Sequence, residues 1–79
     1  MTKAEAIEKL NPIFKDIFDD DDIVVTESTN SDDIEDWDSL EHINLVVAVE
    51  KAFGIKFNMG EVNSFKNVGE MVDAIIARV

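Results

Sequence analysis

No cysteine occurs in this chain of 79 residues, which removes both a disulfide framework and a thiolate metal site. No segment approaches the ~20 consecutive apolar residues that a membrane span needs, and the N-terminus lacks the apolar run of a secretory signal. The expectation is a cytoplasmic protein with no membrane association. Basic residues are scarce: 7 Lys or Arg against 18 Asp or Glu leave a net charge of −11. A body this acidic repels nucleic acid and anionic lipid, so neither is an expected partner. From Asp16 to Glu50 there is no Lys or Arg, while 13 carboxylates fall in that stretch. Such charge keeps a small domain soluble. Its uneven placement points further, to partners with basic patches and to association that slows as salt rises.

Apolar residues make up 46% of the chain, enough for a core. Residues 1–79 read as a single small domain and a monomer. A chain this short buries only roughly 60–65% of its surface, so no deep substrate cavity is expected.

Residues 3–18 read as a helix. Thr2 can cap it, with Glu5 at the capping-box offset. Ile7, Leu10, Phe14 and Ile17 recur at spacings of three and four, widened by Ile13 and Phe18. Pro12 should kink or interrupt this helix near Leu10–Asn11. Four adjacent carboxylates, Asp19 to Asp22, oppose the helix dipole and end it. Residues 19–38 then form a long acidic loop, with Ile23, Val24, Val25 and Ile34 pinning it to the core. Only Ile23–Val25 has any strand character. The loop is not an EF-hand: it contains no glycine, and no glutamate stands at the required offset from Asp20 or Asp22. No dedicated metal site is expected. A second helix runs from Ser39 to Phe53 and stops at Gly54. Asn58 caps a short turn over Met59–Asn63. Asn67, with Glu70 three residues on, opens a last helix whose apolar face is Val68, Met71, Val72, Ile75, Ile76 and Val79. The fold class is all-α: a small antiparallel bundle of three main helices plus one short helix, with the acidic loop between helices one and two.

The second helix carries two apolar stripes when its residues are set about 100° apart. Leu45, Val46, Val49 and Phe53 share one side with Ala52 and His42 and should face inward. Leu40, Ile43 and Val47 lie opposite, among Asn44, Glu50 and Lys51, and should be partly exposed as a docking surface. At the mouth of this helix stands Asp38-Ser39-Leu40. Serine and aspartate are both good N-caps, so either Asp38 or Ser39 can fill that role. Ser39 has no base beside it, and the only histidine, His42, falls on the inward stripe as a packed residue. A nucleophilic Ser–His pair would also need a third group and an oxyanion site, which nothing nearby supplies. The chain does not read as an enzyme. An anion on Ser39 would be well placed, because free N–H groups and the dipole favour negative charge at a helix start. Trp37 is expected to anchor the loop against the bundle.

The segment WDSLEHINLVVAVEKAFGIKF, residues 37–57, resembles the phosphopantetheine attachment region of acyl carrier proteins. The likeness extends over nearly the whole chain: opening helix, acidic loop, Asp-Ser-Leu, a helix ending near Phe53-Gly54, short turn, closing helix. The resemblance implies that Ser39, flanked by Asp38 and Leu40, carries 4′-phosphopantetheine transferred from coenzyme A by a phosphopantetheinyl transferase. The arm ends in a thiol that holds acyl groups as thioesters, and partner enzymes supply the chemistry. It further implies that Leu40, Glu41, Ile43, Val47 and Glu50 form the surface recognised by basic patches of loading and transferring enzymes. These positions include the outward stripe found by periodicity.

The chain also departs from the fatty-acid-synthesis members of that family. Trp37 stands where those have a small residue, Asn44 and Lys51 where they often carry acids, His42 where they have a smaller side chain, and Pro12 lies in the first helix. The resemblance implies a carrier in fatty-acid, polyketide or modified-lipid biosynthesis, and these departures suit a discrete, specialised member rather than the housekeeping fatty-acid one. Two alternatives stay open on the residues alone: an aminoacyl or peptidyl carrier of a nonribosomal-type pathway, and a non-carrier acidic interaction module in which Ser39 is only a cap.

Overall fold

The computed structural model describes all residues 1–79. Four α-helices form it: α1 (Lys3–Phe18), α2 (Ser39–Phe53), α3 (Met59–Ser64) and α4 (Val68–Ile76), with one 3-10 turn at Ser31–Asp33 and no strand. The expected three main helices and one short one are therefore present. α1 begins with a closed capping box: the Glu5 N–H donates to Thr2 Oγ1, and the Thr2 N–H donates back to the Glu5 carboxylate. That backbone bond, and then the hydroxyl, hold the Glu5 carboxyl below its ordinary pKa. α1 runs unbroken through Pro12, contrary to the interruption expected there. Pro12 is exposed, so the carbonyl it cannot serve meets solvent, while Ala6, Leu10, Phe14 and Phe18 are buried at every fourth position and hold the helix to the core. Asp19 ends it in the left-handed region, at φ 50°.

α1 packs against both α2 and α4. The core joins Leu10, Phe14, Leu45, Val49, Met71 and Ile75, all fully buried. Ile23, Val25 and Ile34 pin the loop to it as expected, but Val24 does not: it is 73% exposed. An extended segment sends alternate side chains to opposite sides, so Val24 must point away when its neighbours point in. With no partner strand, the Val25 N–H donates instead to Asn11 Oδ1 at 2.8 Å. The loop also closes the start of α4. The N–H groups of Val68 and Gly69 donate to the carbonyls of Thr29 and Glu27, both at 2.8 Å, satisfying two donors that a helix start leaves orphaned. A Cβ at residue 69 would lie 2.9 Å from the Glu27 oxygen, so this contact requires glycine. The last helix ends at Ile76, and Val79, placed on its apolar face by periodicity, lies beyond it and is half exposed. Arg78 secures this end, donating to the Lys56 and Ala74 carbonyls and pairing with Glu61.

Candidate functional site

The start of α2 is capped by Asp38, not Ser39. The Asp38 carboxylate accepts from the Glu41 N–H at 2.9 Å, and the Asp38 carbonyl accepts from the His42 N–H at 2.9 Å. Ser39 is therefore the first residue inside the helix, exposed, with its hydroxyl released from capping. The N–H groups of Ser39 and Leu40 have no backbone acceptor. An exposed primary alcohol beside two free donors at a helix N-terminus fits a phosphodiester, so the residues present suit a phosphate-linked prosthetic group on Ser39.

Behind Ser39 the side chains are tied together. The Trp37 indole N–H donates to His42 Nδ1 at 3.1 Å. His42 Nε2 lies 2.9 Å from the Val62 carbonyl oxygen, which can only accept. The ring is thus neutral and protonated at Nε2, and neither nitrogen is left to activate Ser39. The Trp37 ring stacks on His42 and meets Phe14 edge-on, with centroids 5.9 and 5.3 Å apart. Trp37 anchors the loop as the sequence suggested. His42 is packed, but half-buried and hydrogen-bonded at both nitrogens. An open groove of about 440 Å³ runs beside this cluster, lined among others by Ser39, Trp37, His42, Asn63, Phe65 and Lys66. The last three escaped sequence reasoning. They flank the cap of the final helix, and no periodicity links them to a serine more than twenty positions away.

On α2 the two stripes separate largely as expected. Leu45, Val46 and Val49 are buried; Leu40, Ile43 and Val47 are 69%, 42% and 50% exposed. Ala52 departs from its stripe and is exposed, because it lies in the last turn, near where α2 ends at Gly54. Met59, at the start of α3, adds a further exposed apolar side chain that the sequence reading missed. Glu41 is half-buried beside Asn44, which donates to its carboxylate at 3.3 Å. Glu50 is half-buried too, and its carboxylate accepts from the Phe57 N–H at 2.7 Å. It braces the α2–α3 connection. No trio of His, Asp or Glu side chains converges as metal ligands, and no helix is long and apolar enough to cross a membrane.

Comparison with known proteins meets this geometry from outside. A family profile described as "Phosphopantetheine attachment site" matches residues 8–75. The acyl carrier protein of Petrotoga mobilis is 36% identical over 76 residues, covering 95% of this chain and 88% of the relative. That of Thermosynechococcus vestitus is 31% identical over 80 residues, covering 100% and 98%. The solution structure of a holo acyl carrier protein from Geobacter metallireducens superposes with a TM-score of 0.86 at 45% identity, covering 92% of this chain and 84% of that one.

Proposed function

Since the chain belongs to the acyl carrier protein family and carries acyl groups on a 4′-phosphopantetheine arm, we propose that Ser39 is the point of attachment and that the outward face of α2 presents the loaded arm to partner enzymes. The observation that carries the assignment is the division of labour at the helix start: Asp38 caps, so the Ser39 hydroxyl stands exposed beside two free N–H donors. When bound, the arm supplies a thiol that holds acyl groups as thioesters. The chain's own residues do the rest. Asp38 fixes the backbone at the attachment point, the free Ser39 and Leu40 N–H groups would be available to the phosphate, and the bundle would anchor the arm. The family works with a phosphopantetheinyl transferase and with acyl-handling enzymes. Exposed Leu40, Ile43 and Val47, with Glu41 at their edge, support a surface that meets basic patches on those enzymes. Glu50 belongs to the same reading, but its bond to the Phe57 N–H gives it a smaller share of the docking charge. A monomeric, cytoplasmic working state completes it, supported by an acidic surface that disfavours self-association and anionic lipid.

The test is intact mass after incubation with coenzyme A and a broad-specificity phosphopantetheinyl transferase. Wild type should gain one phosphopantetheine, and Ser39→Ala, folded to the same helical content, should gain none. An adduct on the alanine variant would refute the assignment. No adduct on folded wild type would favour the acidic interaction module instead.

A further inference from the structure

His42 joins three parts of the molecule through one ring. It belongs to α2, holds the loop through the Trp37 indole at 3.1 Å, and holds α3 through the Val62 carbonyl at 2.9 Å. Phe65 meets the same ring edge-on at 6.5 Å, and Phe57 meets Phe65 at 5.4 Å. On its far side Trp37 packs against Phe14 and Phe18 of the core. Trp37, His42 and Phe65 line the groove beside Ser39, while Trp37, Phe57 and Phe65 pack against the buried core that includes Leu45, Val49, Met71 and Val72. A chain passing from Ser39 through this layer of rings to the interior would have to separate the loop and α3 from α2, which the two His42 bonds hold together. Doing so strips the acceptor from the half-buried Trp37 N–H and the donor from the Val62 carbonyl, and neither makes a second hydrogen bond within the protein. The groove outside needs no such opening, and Asn63, Ser31 and Lys66 give its wall polar groups and a cation.

We propose that His42 is a cargo-positioning residue: by bonding Trp37 and Val62 at once it keeps the α2–α3 seam shut, so that the acyl group lies in the outer groove and not in the core. The cargo it favours is a short or polar acyl group, and it works against a long unbranched alkyl chain, which gains most from burial. The inference rests on Ser39 as the attachment point. Its probe is an octanoyl thioester on the holo protein, read by amide chemical shifts and by thermal unfolding. In wild type, octanoylation should shift Ile43, Asn63, Lys66 and the Trp37 indole signal. It should leave Leu45, Val49, Met71 and Val72 in place, with Tm close to that of the holo form. In His42→Phe, which keeps a ring but neither bond, the same chain should shift the four core residues and raise Tm by several degrees. His42→Ala should do so more strongly, and His42→Phe carries the test if the alanine variant does not fold. Core shifts in octanoyl wild type would overturn the proposal. So would core residues that stay unmoved in folded His42→Phe. Failure to form the holo protein at all is seen earlier, by mass, and would remove the Ser39 assignment together with this one.

Discussion

Leu45, Val46 and Val49 on one side of α2 are sealed in the bundle, while Leu40, Ile43 and Val47 on the other stand in solvent. The two sets are almost the same in composition, so hydrophobicity does not decide which is core. Position does: α1 packs against one side of the helix, and the other is left 42–69% exposed at Leu40, Ile43 and Val47. The inward set contributes to stability through burial and close packing. The outward set, still 42–69% exposed, gains less from folding, and it is the face that the proposed docking surface would use.

The largest effect should come from breaking the inward side. Leu45→Ala empties a fully buried site and should cost about 2–5 kcal/mol in chemical denaturation, while any holo protein that folds remains a substrate for partners. Asp38→Ala tests the hinge between the two sides. It removes the cap of α2 and should cost about 1 kcal/mol; it should also slow transfer of the arm, since Ser39 sits on the turn that Asp38 fixes. The outward side should invert the pattern. Val47→Ala should change stability by no more than about 0.5 kcal/mol yet raise KM for a partner enzyme. A loss of stability like that of Leu45→Ala would show that this face is covered in solution.

The smallest effect concerns a trio of charges outside both faces. Lys3 reaches Asp73 at 3.2 Å and Glu27 at 3.6 Å, tying α1 to α4 and the loop. The hydrogen bond and charge of Asp73, then the charge of Glu27, raise its pKa above the ordinary value of 10.5. The stability it contributes is therefore full below the unfolded pKa and fades as pH rises through the folded one. All three groups are well exposed, so the contribution is small. At low salt, Lys3→Gln should be slightly less stable than wild type at neutral pH, and the two stability-against-pH curves should converge at the alkaline end, where wild type loses the same contribution.

Much of this was legible along the chain because the signals are local. The capping box at Thr2–Glu5, the Asn58 and Asn67 caps and the stop at Gly54 each involve residues within one turn, and each is present. The stripes of α2 follow from helix geometry alone. Pro12 misled because propensity counts the lost bond and not the four buried side chains that hold its helix in place. Val24 misled because a cluster of three apolar residues reads as one block, whereas extended backbone divides it.

The sequence by itself determined the helices, the caps at Thr2, Asn58 and Asn67, the side of α2 that faces in, and a serine at a helix mouth with no base beside it. Those properties depend on neighbours a few residues apart, which periodicity can order. Only the tertiary structure decided that Asp38 and not Ser39 fills the cap, that Glu50 turns to the Phe57 N–H, and that Trp37, His42, Val62 and Phe65 form one tied wall beside Ser39. Hydrogen bonds are short and directional, and the last of these join residues up to twenty or more positions apart, so their partners exist only once the chain has folded.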